Sequence, residues 1–194
     1  MSISARRYAT GRDAAGLSPA RRPPLVVFAL RRWGFLFDRP QHLLTRLAAD
    51  YRVYYVEPPV PSEGAPYLAS QLTPDGIEVL TPHTPVAAEG FDDRQVPALA
   101  VLLAAFSGEH GIDGPVAWLY APEALPLALD LAPRAVVYDC TEALGDGAPR
   151  PDNADARERA LLRVADLVLV DSPSAYTRCR AANPAVHCLP SGVD

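Results

Sequence analysis

Arg39 and His42 stand three residues apart, directly after Asp38. Asp38, Pro40 and Gln41 carry the spacing of a capping box with proline in the first turn, so both basic residues open a helix. An arginine and a histidine beside helix-terminal amides make an anion site suited to phosphate. The alternative is that Arg39 simply pairs with Asp38 or another carboxylate. Asp139 closes the apolar run Ala135-Val136-Val137-Tyr138. A carboxylate there can accept a proton from a substrate hydroxyl, or can only tie down the following loop. Glu158 shares a helical stripe with Ala154, Leu161, Leu162 and Ala165. On a buried stripe it must find donors or face a cleft, and a structural hydrogen bond to a neighbouring loop serves equally well.

The missing chemistry is as informative. All 18 basic residues are Arg. Without lysine there is no Walker A loop and no Schiff-base or pyridoxal enzyme. No G-x-G-x-x-G follows the first apolar run, which disfavours an ordinary NAD or FAD site. There is no G-x-S-x-G nucleophile elbow, no D-x-D, and no Glu followed eight positions later by another Glu. His42, His83, His110 and His187 form no pair at metal-ligand spacing, so neither metal nor cofactor is expected. His83 and His110 read as loop and helix-end surface residues, and His187 as a structural strand residue. Cys140, Cys179 and Cys188 lack C-x-x-C spacing and read as two buried core thiols and one on a helix. A net charge of −5 and a pI near 5.3 argue against nucleic acid as a partner.

These residues need elements to hold them. Leu25 to Leu30 is a short apolar, β-branched run, which predicts a buried parallel strand. Leu43, Leu44, Leu47 and Ala48 give the following helix its apolar stripe. Further strands are predicted over 52–56, 76–80, 116–120, 135–139, 167–170 and 186–189. Helices are predicted near 93–110, 123–131, 152–165 and 172–181, and residues 60–76 read as a loop rich in Pro, Gly and Ser. Alternating strands and helices predict an α/β protein with an open, mostly parallel sheet covered on both faces. Ligands of such sheets bind at the carboxyl ends of the strands. Those ends carry Arg31, Arg32 and Trp33, then Glu57, Tyr120, Asp139, Glu142 and Asp171. Aromatic faces, carboxylates and arginine forks suit carbohydrates and their phosphates.

Residues 1–22 hold five Arg against the single acid Asp13, and read as a disordered basic tail or as a segment drawn to an anionic membrane surface. No apolar run approaches the roughly 18 residues of a membrane span, and no apolar stretch follows Arg6-Arg7 as a signal would require. A cytoplasmic location is expected.

Several segments, taken in order, carry a resemblance. They are Trp33 with Arg39-Pro40-Gln41-His42-Leu43, and Val53 to Pro59. Trp118 to Pro122, Val136 to Cys140, Glu158 with Leu161-Leu162 and Ala165 to Val168, and Pro190 to Asp194 follow. Together they resemble the N-terminal half of bacterial GT-B glycosyltransferases of the family-four type, acting on cell-envelope or exopolysaccharide sugars. The likeness covers about residues 25–194. The family's terminal motif is Pro-Asn-Gly-Val-Asp, and Ser191 departs from it.

The resemblance implies a Rossmann-like acceptor-side domain over 23–190, with 191–194 as a hinge stub before a C-terminal donor domain that this chain lacks. It implies transfer of a sugar from a nucleotide-diphosphate donor to a glycan or glycolipid acceptor, in the cytoplasm or peripheral to the inner membrane. By it, Arg31, Arg39 and His42 lie on the donor-phosphate side. Trp33, Glu57, Tyr120 and Glu142 lie on the acceptor side, and Asp139 and Glu158 are the catalytic candidates, with no catalytic residue fixed. Retaining transfer of this kind is electrostatic and needs no metal. The chain alone is expected to be inactive. The rival functions are a non-catalytic carbohydrate-binding or partner-docking module, and a different Rossmann-like enzyme such as an oxidoreductase or hydrolase.

Overall fold

A computed structural model describes residues 22–141 and 153–190. The first strand, β1, is Pro24–Phe28, followed by helix α1, Arg39–Leu47, and strand β2, Arg52–Val56. Strands β3, Val60–Pro61, β4, Tyr67–Leu72, and β5, Ile77–Thr84, precede helix α2, Val96–His110. Strand β6, Val116–Leu119, leads through a 3-10 turn at Pro122–Ala124 into α3, Leu125–Asp130. The rest is β7, Ala135–Cys140, α4, Ala154–Val164, β8, Leu167–Val170, α5, Pro173–Arg180, and β9, Val186–Cys188.

The strands form one nine-stranded sheet in the order β3-β5-β2-β1-β6-β7-β8-β9, with β4 paired to β5 off that path. Every pairing is parallel except β4 with β5. From β1 the chain builds outward to β2 and β5, then crosses back to β6 on the other side. The order therefore reverses between β1 and β6, which is where an open α/β sheet opens a crevice. The protein is thus an α/β protein of the Rossmann-like open-sheet class.

Strand alternation sends Leu25, Val27, Val53, Tyr55, Trp118 and Val137 to one face, where Leu44 of α1 and Ala48 at its C-terminal cap cover them. Val26, Phe28, Val56, Leu119 and Val168 face the other way. That second face packs on α2 (Leu99, Leu103, Phe106), α3 (Leu125, Leu127), α4 (Leu161, Leu162) and α5 (Ala175, Cys179). The central strands are apolar on both sides because helices cover both sides. No helix among the described residues is long and apolar enough to cross a membrane.

Several boundaries differ from expectation. Residues 60–76 are not simply a loop, because they contain β3 and β4. Strand β4 pairs antiparallel along the edge of β5 opposite to β2, from Tyr67↔His83 to Leu72↔Glu78. As the exposed outer strand it needs no apolar face, so its mixed sequence hides it. The turn is closed by Gly76 at φ +78°, donating to Thr73 O at 3.0 Å. His83 lies within β5, stacked on Tyr67 at 4.4 Å, rather than in a loop. Cys140 and the helical Cys179 are the buried thiols, while Cys188 on β9 is exposed. Arg22, expected at the end of a disordered tail, is tied to the fold by Nη1 donating to Ala48 O at 2.7 Å. Residues 1–21, and the expected hinge at 191–194, lie outside the described residues.

Candidate functional site

The loop after β1 is built on Glu57, at the end of β2. Its carboxylate accepts from Arg32 Nη1 at 2.7 Å, Trp33 N at 2.8 Å and Thr81 Oγ1 at 2.8 Å. Glu57 is buried and fully engaged, so it shapes the loop rather than presenting an oxygen to a ligand. Tyr55 Oη donates to Arg31 O at 3.0 Å, and its ring meets Trp33 edge-on at 5.0 Å. The chain then enters α1 through the expected capping box. Asp38 Oδ1 accepts from Arg39 N at 2.7 Å, and Gln41 Oε1 accepts from Asp38 N at 3.1 Å. Gln41 also donates through Nε2 to Trp33 O at 2.7 Å. One glutamine thus ties the loop to the helix it precedes.

That entry aims Arg39 inward. Its Nε donates to the two oxygens of Asp139 at 3.2 and 3.3 Å, and Nη1 donates to Leu189 O at 2.6 Å. Nη2 lies 3.1 Å from Asp139 Oδ1 as an ion contact, without hydrogen-bond geometry. Arg39 therefore pairs with a carboxylate, and that carboxylate is Asp139, a hundred residues away at the end of β7. Both side chains are buried, and removing either would strand the other's charge. Burial pushes the Asp139 carboxyl above its ordinary range, and Arg39 opposes the shift.

Around this pair the rim leaves several buried polar atoms without a hydrogen bond from protein groups. They are Arg39 Nη2, Trp118 Nε1, Tyr120 Oη, Thr141 Oγ1 and Asp171 Oδ1. The ladder explains why they gather. Leu119 pairs with Tyr138 and Cys140 with Val170, so Tyr120 runs on beside Asp139, and Thr141 beside Asp171. Alternation places Trp118, Tyr120, Asp139, Thr141 and Asp171 on the α1 face. Phe28 pairs with Leu119, so the small Ala29 lies beside Tyr120 and leaves it room. Burial, then the nearby Asp139 charge, pushes the Tyr120 phenol well up, so it stays a neutral donor. It lies close enough to hold the Asp139 carboxyl down, although its oxygen meets no partner at full hydrogen-bond geometry. A buried polar atom left unpaired costs about 1–3 kcal/mol, and a hydroxyl-rich ligand would satisfy such atoms.

The other predicted residues fall elsewhere. Arg31 sits over the Phe35 ring at 6.0 Å, and His42 meets the Phe37 ring edge-on at 4.6 Å. Both thus adjoin the outer loop, while Arg39 turns inward. Glu158 is on the opposite face of the sheet. It accepts from Tyr138 Oη and from Arg178 Nη1, both at 2.9 Å. Arg178 Nη2 also reaches Cys140 Sγ at 3.5 Å. The Cys140 thiol is lowered to about 7, chiefly by its hydrogen bond with Cys179. The sheet therefore separates Asp139 from Glu158, and the two do not act on one atom. Glu142 lies outside the described residues. Among those residues, no three His, Cys, Asp or Glu side chains gather as a metal site requires.

Trp118 was given no site role from the sequence, and Thr141 stood there only among the residues at the end of the fifth strand. Their signal is the period of two, since each lies two positions from a predicted residue. Arg178 left no such signal, because only packing brings α5 to Glu158. The fold and this rim define an α/β protein with a polar site at the switch point of its sheet. In comparison with known proteins, the chain matches no family model and no curated sequence.

Proposed function

We propose that this chain is the acceptor-side half of a GT-B glycosyltransferase, holding a glycan or glycolipid that receives a sugar from a nucleotide-diphosphate donor. One observation carries the proposal: unpaired donors and acceptors gather on the rim around Tyr120 and Asp139, at the point where strand order reverses. Sugar hydroxyls both donate and accept, and so match a mixed set of such atoms. The charge of Arg39 is already balanced by Asp139. That balance favours a neutral, hydroxyl-bearing ligand there over a phosphate. Arg31 in the outer loop and His42 beside it in the first turn of α1 are then the residues to meet a donor diphosphate across a cleft. Asp139 is the group nearest an acceptor hydroxyl, and Glu158 holds α4 and α5 to β7.

The test is ligand-observed NMR on the chain, with cell-envelope oligosaccharides and with nucleotide sugars. Oligosaccharides are expected to bind, and Tyr120→Phe to weaken them roughly tenfold while leaving thermal stability unchanged or higher. Loss of an orphaned hydroxyl removes a ligand partner but no native bond. These 194 residues alone are expected to transfer no sugar. Sugar transfer by the chain alone, or absence of any glycan binding, would overturn the proposal. A bare binding module would bind glycans yet ignore the donor even with a donor domain supplied, and co-purified nicotinamide would point to an oxidoreductase.

A further inference from the structure

Between β1 and α1 the chain exposes Phe35, Leu36 and Phe37 in succession, at 73%, 56% and 64% of their full accessibility. Scattered apolar residues on a surface are ordinary, but three neighbours projecting from one turn are not. The other exposed large apolar residues of the described chain stand singly. Both roots of the turn are fixed. Trp33 N is held by Glu57, and Asp38 by Gln41. Within the turn, Phe35 N donates to Arg32 O at 3.1 Å. The three side chains are therefore held out on a braced projection.

The surroundings are cationic. From Ala29 to Leu47 there are four Arg and one acid, within a chain of net charge −5; Arg39 is buried against Asp139 and Arg32 also bonds Glu57, which leaves Arg31, Arg32 and Arg46 around the turn. Arg31 lies over the Phe35 ring, the Arg32 side chain is 44% exposed, and Arg46 is exposed on the same helix that the turn leads into. Aromatic and aliphatic tips among guanidinium groups match the boundary of an anionic bilayer. There apolar side chains enter the acyl region while arginines meet phosphates. Three exposed side chains on one turn are too small a patch for the broad contact of a protein interface, but are enough to enter lipid.

We infer that Phe35-Leu36-Phe37 is a membrane-inserting turn that seats this rim of the domain on a bilayer containing anionic phospholipid. This assignment is independent of sugar transfer, and also of the basic N-terminal residues.

The test is flotation of the full chain with phosphatidylcholine vesicles, with and without phosphatidylglycerol. The wild type is expected to float with the mixed vesicles and only weakly with the neutral ones. The variant Phe35→Ser/Leu36→Ser/Phe37→Ser keeps every arginine, and is expected to partition roughly tenfold less or weaker with an unchanged circular dichroism spectrum. A Leu36→Trp reporter should shift its emission to the blue on the mixed vesicles and be quenched by brominated acyl chains. Failure of the wild type to float would overturn the inference. So would equal flotation of the triple variant, which would assign binding to the N-terminal arginines. An unquenched reporter counts equally against it. A vesicle-free dimer that the triple serine variant disperses would assign the turn to a second copy of the chain instead.

Discussion

Arg39 and Asp139 hold each other in a place that neither charge tolerates alone. Breaking a buried pair by removing one partner costs about 3–5 kcal/mol. Arg39→Leu therefore has a pH signature. The folded Asp139 carboxyl is already raised by burial, and Arg39 is the first force opposing that rise. Without Arg39 the carboxyl rises further, so the native state binds its proton more readily than the unfolded state does. Stability then falls as pH climbs from the ordinary Asp range through the raised value. Urea unfolding should show the Arg39→Leu deficit larger at about pH 8 than at about pH 5, and equal deficits would exclude the mechanism. The thiols offer a second check. Cys188 is exposed, whereas Cys140 and Cys179 are buried. A thiol reagent should titrate one group promptly in the native chain and the other two only in denaturant.

At the scale of elements, α1 does the positioning. Its capping box sets the helix start, Leu44 anchors its apolar stripe, and the start decides where Arg39 points. Gln41 is buried and serves both Asp38 N and Trp33 O. Gln41→Ala leaves both groups unpaired, an expected loss of about 1–3 kcal/mol. Asp38→Ala loses a cap worth about 0.5–2 kcal/mol. Thermal melts give the size of each loss. A shift in Trp33 emission should accompany Gln41→Ala, and stability loss without that shift would leave the loop's tie to α1 unsupported. Strand β4 shows the reverse case. Its register depends on the ladder to β5 and on the Thr73–Gly76 turn, with little burial to hold it.

At the scale of the whole molecule, one sheet joins all the described strands, with β1 and β6 at its centre and β3, β4 and β9 at its margins. Protection should follow that order, because opening the centre requires undoing both helical layers. Amide hydrogen exchange is expected to be slowest in β1, β2, β6 and β7 and fastest in β4. Rapid exchange in β1 or β6 would contradict a shared core.

The sequence by itself determined the elements whose signals are local. Apolar β-branched runs made the central strands, and Asp38, Pro40 and Gln41 started α1. Ser172 and Pro173 started α5 in the same way, with Ser172 Oγ accepting from Ala175 N at 3.2 Å. The period of two says which residues of one strand share a face, but α1 had to be placed before that face could be named. Tertiary structure alone decided which partners these residues found. Arg39 reaches across a hundred positions to Asp139, and Glu158 meets Arg178 on the far side of the sheet. No local propensity encodes such pairings, because a side chain's partner depends on strand order and helix placement. Those follow from burying the whole core at once.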